Sequence, residues 1–96
     1  MFGAYIHTLD ESEWVEINPH EAYDKYGIID VKPGSMVHIK EADGALQVVS
    51  FSAEMNRWYY GAYDTVDGWT HDVEAFGDDW KQVALDGETQ LSCMLH

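Results

Sequence analysis

Positive charge is what this chain most lacks: five Lys and Arg stand against eighteen Asp and Glu, for a formal charge of -13 at pH 7. A surplus of that size repels nucleic acid and anionic lipid, and it favours encounter with basic surfaces, including those that ordinarily hold phosphates. Cysteine is almost missing too. With Cys93 alone no intrachain disulfide can form, and nothing points to an oxidising compartment. No apolar run approaches the ~20 residues of a membrane helix. The segment from Met1 to Asp10 lacks the basic start of a signal peptide. A soluble, cytoplasmic protein with no membrane partner is the expectation.

The constellations that carry chemistry are also wanting. No nucleophile elbow or comparable Ser or Cys motif is present. Gly34, Gly44, Gly61 and Gly68 read as single turn glycines rather than as a phosphate-binding loop. The histidines His7, His20, His38, His71 and His96 fall in no metal-ligand spacing, and no second cysteine exists to complete a zinc pair. A calcium loop fails as well. With Gly68 as its central glycine, Tyr63 and Thr65 occupy positions where carboxylates are required. No catalytic residue, metal ligand or cofactor is therefore assigned, and an enzyme is not expected.

What the chain does contain is apolar and aromatic material: 46% hydrophobic and 14% aromatic residues over 96 positions, too much for a disordered acidic tail. One domain of this size buries roughly 60% of its extended-chain surface. The expected class is α+β: a small strand-rich domain with an antiparallel sheet of about five or six strands in meander hairpins, and one short helix near residues 19–26. Strands are expected at Phe2 to Thr8 and, after the turn Asp10-Glu11-Ser12, at Trp14 to Ile17. Between Asn18 as N-cap and Gly27 as left-handed stop, Pro19 and Glu21 complete a helix start, with Ala22, Tyr23 and Tyr26 on one face. Pro33-Gly34, Asp43-Gly44, Asp67-Gly68 and Asp86-Gly87 then punctuate runs of strand composition. A two-residue turn at Asp43-Gly44 sets Ile39 opposite Val48, His38 opposite Val49 and Met36 opposite Phe51. A last hairpin around Leu85-Asp86-Gly87 returns Val83 to the face of Leu91 and Cys93, with the thiol buried. Trp69 to Trp80 shows no clean period, apart from a helical turn at Asp72 to Phe76.

The stretch from Trp58 to Trp80 holds seven aromatics and six acids without one Lys or Arg. Rings accept cations on their faces and carboxylates pair with guanidinium forks, so this composition suits a site that engages Arg and Lys. The partner-binding candidates are Asp64, Asp67, Asp72, Glu74, Asp78 and Asp79 as charged contacts, with Trp69 and Trp80 as anchors. Asp10, Glu11, Glu13 and Glu16 form a second choice, in an N-terminal stretch equally free of Lys and Arg. Reversing Asp78 and Asp79 to Lys is expected to weaken binding without loss of stability.

In size and composition alone the chain resembles the acidic decoys that phages and plasmids direct against restriction or CRISPR complexes; no motif carries the resemblance. It implies a partner with a basic, nucleic-acid-binding protein surface, and no direct contact with nucleic acid. The alternative is a structural or assembly module or a homo-oligomer subunit, whose acidity serves solubility. Adaptation to high salt ranks third and a small enzyme last.

Overall fold

The computed structural model describes residues 9–42, 44–64, 66–71 and 73–94; the strand expected at Phe2 to Thr8 and the acid Asp72 lie outside them. Asp10 opens the described chain by capping a 3-10 turn over Glu11–Glu13, its carboxylate accepting from the Ser12 amide at 3.0 Å and the Ser12 hydroxyl at 2.5 Å. Strand β1 (Val15–Ile17) follows, then helix α1 (Pro19–Tyr26). Its ends form as the residues dictate. Asn18 Oδ1 accepts from the Glu21 amide at 2.7 Å, and Gly27 turns left-handed at φ 69° while donating to the last-turn carbonyls of Ala22 and Tyr23. Ala22 is buried and Tyr26 packs beside it, but Tyr23 stands on the solvent side instead of sharing their face.

Strands β2 (Val37–Ala42) and β3 (Ala45–Ser52) make the expected hairpin, with Ile39 opposite Val48 and His38 opposite Val49. Met36 lies just before β2 and is outside the ladder. Both faces of this pair carry apolar side chains, so alternation alone would tolerate a slip; the tight turn fixes the register, with Gly44 at φ 81°. Strand β4 (Arg57–Asp64) pairs with β3 along its whole length. Its outer edge is shared by two short strands, β5 (Gly68–His71) beside Ala62 to Asp64 and β6 (Phe76–Gly77) beside Trp58 and Tyr59. The sheet thus runs β1-β2-β3-β4-β5 with β6 also on β4, and the sequence's irregular region supplies both edge strands rather than a helical turn at Phe76. This is the α+β antiparallel architecture the composition implied.

The last hairpin is replaced by a helix, α2 (Trp80–Met94). Asp79 starts it: its carboxylate accepts from the Lys81 amide at 3.0 Å, and its carbonyl accepts from the Val83 amide at 3.1 Å. Trp80, Val83, Ala84, Gly87 and Leu91 then repeat at helical spacing and face the sheet. Gly87 is the misleading residue. A Cβ there would lie 2.2 Å from ring atoms of Tyr60, so this glycine marks where a sheet aromatic rests on the helix backbone, not a turn. Cys93 consequently sits exposed on α2, not buried in a strand.

Two cores result, one per face. Ile17, Val37, Ile39, Leu46 and Val48 meet Ala22 of α1 and Ile28 just after it on one side. On the other, Val49 and Tyr60 meet Val83 and Ala84 of α2, with Trp14, Val73 and Ala75 closing the edges. Each fully buried Val or Ile contributes about 1.5–3 kcal/mol, enough for these clusters to hold the sheet between its two helices. Among the described residues no helix is long and apolar enough to cross a membrane.

Candidate binding face

Helix α1 covers only part of its face of the sheet, because it is 8 residues long and stops at Gly27. Beyond it the same face of β4 carries Arg57, Tyr59, Gly61 and Tyr63 by simple alternation. Trp69 of β5 is paired opposite Tyr63 and meets it edge-on, with ring centroids 5.1 Å apart. Phe76 of β6 is paired opposite Tyr59. Trp69 and Phe76 remain 43% and 41% exposed, and Ile29 across the gap is 67% exposed, so the uncovered half of this face is an open apolar surface.

The loop after α1 is built to present Ile29. Ile28 enters the core and Asp30 adopts a left-handed φ of 62°, which aims the intervening side chain outward. Asp30 is anchored by accepting from the Glu54 amide at 3.0 Å and from the buried Ser52 hydroxyl. Two hollows flank Tyr59. One, of about 320 Å³, is lined by Gly27, Ile29, Tyr59, Gly61 and Trp69; the other, of about 270 Å³, by Met55, Tyr59, Tyr60, Val73, Glu74 and Phe76. Gly61 is not a turn glycine but sits inside β4, where a Cβ would come within 3.1 Å of the Trp69 ring. Its missing side chain leaves room for that ring, and Gly61 itself is among the residues that line the first hollow.

The acids divide by what they already touch. Lys25 pairs with Glu21 at 2.8 Å and Lys81 with Glu11 at 2.6 Å. Lys40 binds Glu13 at 2.9 Å and Glu88 at 2.7 Å, and Lys32 lies over the Phe51 ring at 4.9 Å. For Lys40, partial burial pulls the pKa down, but its two carboxylate partners outweigh that and raise it overall. Every lysine is thus occupied inside the fold. Of the second-choice set, Glu11 and Glu13 serve these ion pairs, Asp10 caps its turn with a pKa lowered by the Ser12 hydrogen bonds, and Glu16 lies 3.7 Å from His38.

Of the first-choice acids, Asp64 accepts from the amides of Val66 and Asp67 and so holds the β4–β5 turn, while Asp79 caps α2. Asp67, Glu74 and Asp78 meet no cation among the described residues. All three are exposed, each within two residues of Trp69 or Phe76. Trp80 does not join this face. It stacks on His38, with centroids 3.8 Å apart and planes 6° apart, and meets Trp14 edge-on in the opposite core. The two hollows therefore bring Trp69 together with Ile29 and Tyr59, and Glu74 together with Met55, Tyr59 and Phe76, with Asp67 and Asp78 exposed two residues away in the chain from Trp69 and Phe76; Ile29, Met55, Tyr59 and Phe76 were not among the site candidates named from the sequence. A glycine inside a strand of aromatics was the available sign of close approach at Gly61.

His38 belongs to the interior. Burial lowers its pKa, the nearby Glu16 opposes this only in part, and Nδ1 has no hydrogen-bond partner. No group of three potential metal ligands occurs among the described residues. No protein-family model, curated protein or solved structure matches this chain.

Proposed function

We propose that the chain is a small acidic binding protein that occupies a basic, nucleic-acid-binding surface of a partner protein, through the half-covered face around Tyr59. The observation that carries this reading is the separation of its carboxylates. Those near lysines are neutralised within the fold, whereas Asp67, Glu74 and Asp78 are exposed, lie close in the chain to exposed rings and form no ion pair among the described residues. Rings supply desolvated contact area and carboxylates supply charge, the combination that recognises Arg and Lys side chains. Such a surface competes with phosphates for the same groups, which is the chemistry of an inhibitor that mimics nucleic acid, of the anti-restriction or anti-CRISPR kind; a phage source and a cytoplasmic setting fit that role. The action is binding, without catalysis or a cofactor.

An apolar face of this kind also suits self-association, but two copies each carrying -13 repel one another. The deciding experiment reverses charge in two places. Glu74→Lys with Asp78→Lys should weaken binding to a basic nucleic-acid-binding protein by about tenfold or more, since rim charges act mainly on encounter and steering. If the double reversal leaves affinity unchanged in low salt, the face is not the contact and the reading fails.

A further inference from the structure

The hollow lined in part by Gly61 is chemically unlike the charged rim around it. Its lining residues are Gly27, Ile29, Tyr59, Gly61 and Trp69, none of which carries a charge. A cation entering it leaves part of its hydration behind. An ammonium resists that strongly, whereas a guanidinium is weakly hydrated, planar and able to stack on aromatic faces. Helix α1 also ends here, at Gly27, so the negative end of its dipole borders the hollow and favours a positive guest. A neutral apolar peptide would gain nothing from that field or from Asp67 beside Trp69. A second copy of the chain, with its formal charge of -13, would be repelled.

Resting on the binding role proposed above, we infer that this hollow is an arginine-reading site: one Arg side chain of the partner lies between Tyr59, Trp69 and Ile29, against the Trp69 ring that rests on Gly61, and is preferred there to Lys. Gly61 lets the Trp69 ring settle against the strand, and that ring supplies the stacking surface. The rim carboxylates select positive charge in general, and the hollow selects its shape.

The test is calorimetric titration with arginine-rich and lysine-rich peptides of equal length and charge at low salt, alongside sedimentation of the protein alone. The arginine peptide should bind roughly five- to tenfold more tightly, the range expected for one partly desolvated cation–π contact. Trp69→Ala should bring the two affinities together while leaving salt-dependent binding of both. Ile29→Ala, at an exposed loop position that leaves the core intact, should narrow the difference part of the way even if the tryptophan variant folds poorly. Val66→Ala, on the 87% exposed turn residue outside the hollow, should change neither affinity. Equal affinities in the unaltered protein would overturn the arginine site and leave the acidic role standing. Failure to bind either peptide would overturn both. A stable dimer that Ile29→Ala or Trp69→Ala dissolves would assign the face to a second copy.

Discussion

His38 shows how far a single side chain can be defined by its surroundings. It lies between the rings of Trp80 and Trp58, at centroid distances of 3.8 and 5.4 Å, and Glu16 on β1 is the charged group facing it. Because burial depresses its pKa, the folded chain resists a proton that the unfolded chain accepts near pH 6.5. Stability from this residue is therefore complete above about pH 6.5 and falls as the pH drops below it. Melting temperatures between pH 7.5 and 5.5 should decline for the parent chain and stay nearly level for His38→Gln; parallel declines would show that another group is responsible. Gly87 makes a second case. Alanine is the better helix former by about 1 kcal/mol, yet its methyl group would collide with Tyr60. Overpacking of that kind costs about 1–3 kcal/mol. Gly87→Ala should thus lower stability in urea unfolding, and a gain would mean that the ring moves aside freely.

Among the elements, α1 and the β2–β3 hairpin were legible because their instructions are local: Asn18, Pro19 and Gly27 act on their own helix, and Asp43-Gly44 joins runs whose pairing follows directly. Helix α2 was not. Trp80, Val83, Ala84 and Leu91 do repeat at helical spacing after a capping Asp79, but Asp86-Gly87 sends an equally strong local hairpin signal. The decision rests on Tyr60, a residue of another strand that needs the space. Gly61 misled for the same reason, since its neighbour Trp69 is brought by β5. The binding face was legible in part: Trp69 and the acids around it could be read from composition, whereas Trp80 was drawn into the opposite core by His38 and Trp14. The helix also separates two adjacent acids that composition treats alike. Asp79→Ala removes the cap of α2 and should cost about 0.5–2 kcal/mol, while Asp78→Ala should leave the melting temperature unchanged or raised. Equal effects on stability would contradict this division, which replaces the expectation that both can be reversed without cost to the fold.

Taken together, the chain places a sheet between two helices of unequal length. The longer covers its side, and the shorter leaves β4 and its edge strands partly bare. Charge follows the same division: Lys40 and Lys81 stitch the 3-10 turn, β2 and α2 together, Lys25 pairs within α1, and carboxylates with no ion pair among the described residues border the bare region. The most direct trial is the dependence of affinity on salt, measured for a basic nucleic-acid-binding protein with and without competing DNA. Affinity should fall steeply between about 50 and 200 mM salt, by the logic that governs phosphate contacts, and DNA should displace the acidic chain. Binding that is indifferent to both salt and DNA would contradict the proposal that its carboxylates occupy a phosphate-holding surface.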